Sequence, residues 1–420
     1  GFISVQLQKF IQGGLKIMAN MLDAIIIVTG GIFQIPAVEE AKKLGLRTIV
    51  TDGKKNAVCS SLADEFYVID IYDIPKHLEL IKKIKTKYNI KGVFTEGSEA
   101  TITVAEVAKF LHLKGISPES AKKCKDKILT RQLLEKAKIP IPKWKEVKKN
   151  TILNEARKIG FPIIVKSSNN SGSRGSTKLF NEKGLNTAYN LAKKNSTTDK
   201  VLIEEFLEGE EQSVEIFFDE NKKCTFLNIV DRFFSDGKWS IELGHVNPTK
   251  IRQKTELELF NLTKKSSHVM SVNFGVFKAD TIITKNGPKI LEVTPRLSGG
   301  FDSQKTTPIS SGRNFIRAAM RLSLGLPVDK NDFIHKQKKF SAVWTVLPNP
   351  GKIKSVKGIN EVKKMKGIKE IIILKNKNDK IPEIINNAQR PAYVISEAET
   401  HDQALKIAQN GASKIKFQME

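Results

Sequence analysis

Two carboxylates lie twelve residues apart in the segment FKADTIITKNGPKILEVTPRLSGG, on either side of a Lys-Asn-Gly turn. A three-residue hairpin loop, 285–287 with its glycine in the left-handed conformation, would pair Thr284 with Pro288. Asp280 would then lie opposite Glu292 on one face, whereas a two-residue Asn-Gly loop would put them on opposite faces. Facing carboxylates repel each other unless a cation bridges them, so this register predicts a Mg²⁺ site with room for phosphate oxygens and water.

An arginine follows the second carboxylate by four residues. Arg296 is placed to hold the charge that develops on a transferred phosphoryl group or on a carboxylate.

A loop of small residues, NNSGSRGST, follows the apolar run FPIIVK. It does not match GxxxxGK[ST], and STKLF after it has the pattern of a strand, so we expect a hairpin whose backbone N–H groups fold over a polyphosphate. Lys166 would supply a point charge. An ordinary flexible turn is the alternative, and Arg174 is either a phosphate contact or a solvated charge at the tip. The loop residues are Ser171, Gly172, Ser173, Arg174, Gly175 and Ser176.

The segment VLIEEFLEGEEQSVEIF carries Glu204 at a strand end, the apolar pair Phe206 and Leu207, and Glu211 seven residues after Glu204. A purine needs backbone groups that hydrogen-bond to its amino group and ring nitrogen, and a ribose needs a carboxylate for its two hydroxyls. A strand followed by a short hinge and a later carboxylate would supply both. The alternative is an acidic exposed turn.

The chain of 420 residues has a formal net charge of +25, with Lys, Asn and Ile enriched throughout. We interpret this excess as compositional, with attraction of phosphate as a side effect, rather than as a dedicated nucleic-acid surface. Three distant cysteines argue against disulfides and a zinc site, and the apolar runs are too short to span a bilayer. These features favour a cytoplasmic protein. Residues 1–20 have the pattern of a leader or extension, with a membrane-surface helix as the alternative.

From Ala24 onward, strands and helices alternate as in a parallel α/β layer. Its strand-end residues Glu96, Ser98 and Glu99 could face a substrate or could cap the next helix. The Gly30-Gly31 turn and Asp52 resemble half of a dinucleotide fingerprint, but the third glycine is missing, which argues against nicotinamide binding.

Taken together, the residues from Lys127 to Arg296 resemble the ATP-grasp superfamily in order and spacing, over roughly 21–420. The resemblance implies an ATP-grasp fold of mixed α/β and α+β class, preceded by a Rossmann-like parallel α/β domain and followed by a small α+β domain. We expect domains at 21–120, 121–328 and 329–420, with a lid subdomain at about 145–205.

The resemblance also implies roles for individual residues. Lys127 and Lys166 would bind the ATP phosphates under the loop, and Leu291 would lie under the base. Glu204 would lie at the adenine edge with the backbone of Phe206 and Leu207, and Glu211 would bind the ribose. Asp280 and Glu292 would hold Mg²⁺ or Mn²⁺. The family has Asn where this chain has Thr294, so the second metal position is in doubt.

In SIELGHVNPTK, Glu242 and His245 resemble the substrate-site pair of the L-amino-acid ligases, with Arg296 shared. The resemblance therefore implies a carboxylate–amine ligase that forms an acyl phosphate and passes it to an amine. The alternatives are a bicarbonate-using carboxylase, similar to the biotin carboxylases and the carbamoyl-phosphate synthases, and a nucleotide-binding regulator without turnover. The expected partners are ATP and small-molecule substrates, without nucleic acid or membrane, in a chain that could form a homodimer.

Overall fold

The computed structural model describes residues 21–420, so the predicted leader at 1–20 lies outside the described residues. The chain forms two compact units. One comprises the described residues up to Pro118 together with Phe315–Asp329, and the other comprises Glu119–Asn314 and Lys330–Glu420. Within residues 21–420, no helix combines the length and the apolar character that a membrane span requires.

The first unit is built on a four-stranded parallel sheet with the order β3-β2-β1-β4. Its central strand is buried almost throughout because AIII packs between layers of helices on a shared apolar core. The predicted parallel α/β layer is confirmed. The strands are β1 (Leu22–Val28), β2 (Arg47–Asp52), β3 (Glu65–Val68) and β4 (Tyr88–Phe94). The helices are Ile35–Lys43, Ile74–Ile84, Thr101–Phe110 and Phe315–Ser323, with 3-10 turns at Ile32–Gln34 and Val58–Ser61.

The polar residues at the strand ends of this unit bind neighbouring protein groups. Asp52 accepts a hydrogen bond from the Gly30 N–H at 2.8 Å, so its carboxylate closes the turn. Ser98 accepts from the Ala100 N–H at 3.2 Å, and no side chain caps the helix Thr101–Phe110 that follows. Glu99 accepts from the Tyr72 hydroxyl at 2.6 Å.

The second unit contains three sheets. A four-stranded antiparallel sheet has the order β5-β8-β6-β7, a three-stranded sheet has the order β17-β15-β19, and the largest has eight strands in the order β13-β12-β9-β10-β11-β14-β18-β16. The strands are β5 (Trp144–Val147), β6 (Ile163–Ser167), β7 (Thr177–Leu179), β8 (Val201–Glu205), β9 (Glu210–Phe218), β10 (Cys224–Phe234), β11 (Glu242–Asn247), β12 (Gly275–Thr284), β13 (Gly287–Thr294), β14 (Phe340–Val346), β15 (Gly351–Lys357), β16 (Ile368–Ile373), β17 (Lys380–Ile381), β18 (Ala392–Ala398) and β19 (Lys416–Met419).

Helices of the second unit cover these sheets. They are Pro118–Lys125, Lys127–Lys136, Ile152–Ile159, Leu185–Lys194, Gln253–Val269, Thr307–Ser311, Ile359–Lys363 and His401–Lys414, with a π-helical turn at Asp302–Thr306 and 3-10 turns at Lys330–Asp332 and Asn387–Gln389. The segment CKDKILTRQLLEK forms two helices rather than one. Asp126 separates them, because its carboxylate caps the second helix by accepting from the backbone of Ile128 and Leu129.

The hairpin of β12 and β13 corrects the predicted loop. Thr284 pairs with Gly287, so the loop has two residues and not three. An irregularity in the register between Asp280 and Thr281 leaves Leu291 as an extra residue on β13. This bulge restores the pairing of Asp280 with Glu292. The predicted pairing is therefore confirmed, although a shorter loop and a bulge produce it instead of a three-residue loop.

The strands of the predicted C-terminal α+β segment extend the eight-stranded sheet. β14 pairs with β11, and β18 pairs with both β14 and β16. Residues 330–420 accordingly fall in the same compact unit as 119–314. A continuous ladder of hydrogen bonds therefore connects the β12–β13 hairpin to the strands β14, β18 and β16.

Close packing of β11 on β14 gives a test of this architecture. A Cβ on Gly244 would lie 2.1 Å from the Val343 carbonyl oxygen, which is backbone and cannot move aside, whereas a Cβ at Gly31 meets nothing within 4 Å. We expect Gly244→Ala to lower the free energy of unfolding by about 1–3 kcal/mol or more, and Gly31→Ala to change it by less than about 0.5 kcal/mol. Denaturant unfolding of both variants measures this difference. Equal stability of the two variants would contradict the packing.

Candidate functional site

A cavity in the second unit lies between the β6–β7 hairpin and the β12–β13 hairpin, and its accessible volume is about 200 Å³. It brings together residues that are up to 260 positions apart, from Lys127 to Asn387. Fourteen of the residues singled out in the sequence line it: Lys127, Lys166, Ser171, Gly172, Ser173, Arg174, Ser176, Glu204, Phe206, Leu207, Glu211, Asp280, Leu291 and Glu292.

The small-residue loop connects β6 to β7, which pair as an antiparallel hairpin. The backbone φ is +63° at Gly172 and +73° at Gly175, a conformation that glycine adopts without strain. Ser173 also has a φ of +63°, which is uncommon for a residue with a side chain. A Cβ on Gly175 would lie 2.7 Å from the Asn195 Cβ, so this glycine packs against the protein and does not line the cavity. The Arg174 guanidinium donates to the Asn170 side chain at 2.7 Å, which holds it against the base of the loop.

A buried triad of charges forms one wall. Glu204 is 2% exposed, and its carboxylate binds the Arg131 guanidinium at 2.6 Å and the Lys166 ammonium at 2.5 Å. Burial alone would raise the pKa of Glu204, but the charges of Arg131 and Lys166 outweigh it and lower the pKa to about 2. The carboxylate of Glu204 therefore positions Lys166 and is not available to the base. The predicted edge for the base would then consist of the backbone of Phe206 and Leu207.

Arg131 belongs to this wall, although the sequence analysis did not assign it to the site. Its side chain is 2% exposed, and it also donates to the Leu291 carbonyl. The available signal was its spacing of four residues from Lys127 on one helical face.

The carboxylates of the β12–β13 hairpin form the opposite wall, and cations contact both. Asp280 binds the Lys278 ammonium at 2.5 Å and the Arg232 guanidinium at 3.1 Å, while Glu292 binds the Lys127 ammonium at 3.1 Å. Burial opposes ionisation of Glu292, but the nearby lysines, with Lys127 the largest contributor, lower its pKa to about 2.

These two carboxylates fit a magnesium ion, because they are hard oxygen donors on directly paired residues, and the low pKa of Glu292 keeps that carboxylate ionised. Among the described residues there is no cluster of three or more His, Cys, Asp or Glu side chains that could hold a metal. Thr294 pairs with Lys278 at the end of β13 and is not among the residues that line the cavity.

Arg232 lines the cavity and was missed in the sequence analysis. It binds both oxygens of Glu242, at 3.1 and 3.2 Å, and reaches Asp280 with its remaining nitrogen. It therefore connects the predicted substrate residue Glu242 to the predicted metal site. A single arginine within the apolar strand LNIVDRFF was the signal that could have identified it.

The three predicted catalytic residues are not among the residues that line this cavity. His245 is 3% exposed, its Nε2 lies 3.0 Å from the Thr306 hydroxyl, and burial lowers its pKa to about 4, so the imidazole is neutral near pH 7. Arg296 donates to the Leu297 carbonyl at 2.8 Å, and Asp280 and Glu292 lie within its electrostatic reach. Burial opposes ionisation of Glu242, but Arg232 lowers its pKa to about 2.

Glu211 lies in the cavity with its carboxylate 4.0 Å from the Arg232 guanidinium. Burial raises its pKa to about 7, and the nearby Asp280 adds to this effect, while Arg232 opposes it. A carboxylate that is poorly solvated gains from hydrogen bonds to neutral hydroxyl donors, as its predicted role at a ribose requires.

Models of known protein families match this chain over three separate segments. The model for the ATP-grasp domain matches residues 159–305, the model for the ATP-grasp N-terminal domain matches 38–115, and the model for L-amino acid ligase C-terminal domain 2 matches 343–420. The formate-dependent phosphoribosylglycinamide formyltransferase of Prochlorococcus marinus strain MIT 9515 is 24% identical over 406 residues, which cover 94% of this chain and 97% of that protein.

Two solved structures show that the fold is shared. The L-amino acid ligase from Bacillus licheniformis superposes with a TM-score of 0.81 at 17% identity, over 95% of this chain and 99% of that one. The N5-carboxyaminoimidazole ribonucleotide synthetase from Thermotoga maritima superposes with a TM-score of 0.70 at 19% identity, over 95% and 100% of the respective chains.

The cavity has facing carboxylates on one hairpin, two lysines and a small-residue loop, and family models match the segments that carry it and those on either side. The chain belongs to the ATP-grasp superfamily of ATP-dependent carboxylate–amine ligases.

Proposed function

We propose that the protein uses ATP to activate the carboxylate of an amino acid and then joins that carboxyl group to an amine. A carboxylate oxygen attacks the γ-phosphorus and ADP leaves; the amine nitrogen then attacks the carbonyl carbon and phosphate leaves, with loss of one proton from nitrogen. The observation that carries the proposal is the convergence of Lys127, Lys166, the 171–176 loop, Asp280 and Glu292 on one cavity.

Each wall of the cavity has a separate task in this proposal. Lys127 and Lys166 bind phosphate oxygens, and the loop covers them with backbone N–H groups. The apolar part at Phe206, Leu207 and Leu291 receives the base. Asp280 and Glu292 would hold magnesium, which neutralises phosphate charge when bound. Exclusion of water and alignment of the reactants then supply most of the rate enhancement, so the reaction needs no nucleophilic side chain from the protein.

Three residues outside the cavity lining, Glu242, His245 and Arg296, support an amino acid as the substrate. Glu242 is ionised and fixed by Arg232, and His245 is a neutral imidazole on the same strand. An ionised carboxylate suits the ammonium group of an amino acid, and a neutral imidazole can accept a hydrogen bond from it. Arg296 supplies a positive charge toward the acyl phosphate. The match of residues 343–420 to L-amino acid ligase C-terminal domain 2 supports this branch.

The reaction is tested by ADP release from the purified protein with Mg²⁺ and ATP, with amino acids supplied singly and in pairs and bicarbonate in a separate arm. We expect release that depends on particular amino acids, together with a condensed product detected by mass spectrometry. Release that depends on bicarbonate alone would assign the chain to the carboxylases. ATP binding without release in any arm would contradict turnover with these substrates.

The division of roles predicts different defects for two variants. Glu292→Gln removes one metal ligand and should lower turnover by about 100-fold or more, while ATP affinity measured without Mg²⁺ is retained. His245→Ala should lower turnover with ATP affinity within about twofold, because this side chain is not among those that line the cavity.

ATP titrations with and without Mg²⁺, beside steady-state turnover, measure both effects. His335→Ala, at an exposed histidine of the same unit, is the matched control and should behave as wild type. An equal loss of ATP affinity in the Glu292 and His245 variants would contradict the separation of metal and substrate roles.

A further inference from the structure

A residue from the C-terminal part of the chain lines the nucleotide cavity, and neither the motifs nor the mechanism above uses it. Asn387 begins a short 3-10 turn, Asn387–Gln389, between β17 and β18. A capping box fixes this turn: the Asn386 side chain accepts from the Ala388 N–H at 3.0 Å, and the Gln389 side chain accepts from the Asn386 N–H at 3.2 Å. Its position is therefore set by its own local structure.

Asn387 contacts the small-residue loop through its backbone. Its N–H donates to the Gly172 carbonyl at 3.0 Å, and a Cβ on Gly172 would lie 3.8 Å from the Asn387 Cβ. A second contact holds the same loop tip, because the Ser173 hydroxyl donates to the Ser240 carbonyl at 2.8 Å. The tip thus contacts both the C-terminal turn and the segment just before Glu242.

Asn387 contacts the substrate strand through its side chain. The Oδ1 atom accepts from the Glu242 N–H at 2.9 Å, and Arg390 donates to the Glu242 carbonyl at 2.8 Å and to the Asn387 carbonyl at 2.9 Å. Both backbone groups of Glu242 are therefore held by the 387–390 segment. Because the Glu242 side chain binds Arg232, which binds Asp280, the connection continues to the proposed metal site.

We propose that Asn387 is a positioning residue that couples closure of the 171–176 loop over ATP to ordering of the strand that carries Glu242 and His245. This inference rests on the proposed function. A loop that opens breaks the bond to Asn387, and the turn then loses one of the contacts that hold it against Glu242. Nucleotide binding therefore orders the substrate side of the site, so that the carboxylate is activated only when Glu242 is in place.

Two substitutions at the same position separate the two contacts. Asn387→Ala removes the bond to the Glu242 N–H and keeps the N–H that binds Gly172. Asn387→Pro removes both and directs its Cδ at the Gly172 carbonyl, so the loop must move away. The turn itself accepts proline, because 387 is its first residue and Asn386 is extended, with φ −157° and ψ 166°. Asn410→Ala, at an exposed asparagine on another helix of the same unit, is the matched control.

Hydrogen exchange of the backbone amides, with and without Mg²⁺ and ATP, tests the coupling in the full chain. In the wild type, we expect nucleotide to slow exchange at residues 387 and 242 together. In Asn387→Ala, the amide at 387 should still respond, whereas the amide at 242 should exchange about 3- to 10-fold faster and no longer respond. In Asn387→Pro, residues 171–176 should also exchange faster with nucleotide bound.

The same coupling predicts that the variants change the Michaelis constants for ATP and for the carboxylate substrate differently. Asn387→Ala should raise KM for the carboxylate substrate about 3- to 10-fold and leave KM for ATP within about twofold, whereas Asn387→Pro should raise both. Exchange at residue 242 that is identical in Asn387→Ala and Asn410→Ala would overturn the coupling. Absence of ADP release from the wild type with every substrate would overturn the proposed function instead, and the exchange results would still decide the coupling.

Discussion

The pairing of buried opposite charges is the constraint on which the site depends. A carboxylate or an ammonium group taken out of water costs several kcal/mol unless a partner compensates it. Glu204 is compensated by Arg131 and Lys166, Glu292 by Lys127, and Asp280 by Lys278 and Arg232. The groups proposed to bind phosphate and metal are thus fixed in place by one another. A nucleotide with its metal can enter by replacing these pairings with equivalent ones, so that no charge is left without a partner.

The antiparallel sheet explains how these charges reach one cavity. Directly paired residues share a face, so Asp280 and Glu292 project together, and Arg232 projects beside both Glu211 and His245. The bulge at Leu291 is part of this arrangement. With a two-residue loop and no bulge, Leu291 would pair with Asp280 and Glu292 would lie on the other face. The register at the metal site depends on one extra residue as much as on the turn.

The sequence predicted those features that have a local signature. The parallel layer of the first unit, the β6–β7 hairpin and the pairing of Asp280 with Glu292 follow from apolar periodicity, glycine positions and turn residues. The loop length was wrong because the bulge depends on how β13 pairs along its whole length. Asn387 was missed because it contacts Glu242 from 145 positions away, and no local pattern marks such a contact. Arg232 had one weak signal, a single arginine within an apolar strand, which does not show that it contacts Glu242 and Asp280. Their roles arise from sheet order, which a single sequence does not encode in adjacent residues.

The charge of the cavity differs from that of the whole chain, and this difference bears on what the composition means. Its lining contains four cations, Lys127, Lys166, Arg174 and Arg232, and five carboxylates, Glu204, Glu205, Glu211, Asp280 and Glu292, a formal sum of −1 against +25 for the chain. The surplus of lysine therefore lies elsewhere and can only raise the rate of encounter with anions, in a manner that salt screens. Inside the cavity, a bare triphosphate meets five negative groups and only four positive ones. A divalent cation between Asp280 and Glu292 changes the sum to +1, so the lining favours the nucleotide together with its metal over the nucleotide alone.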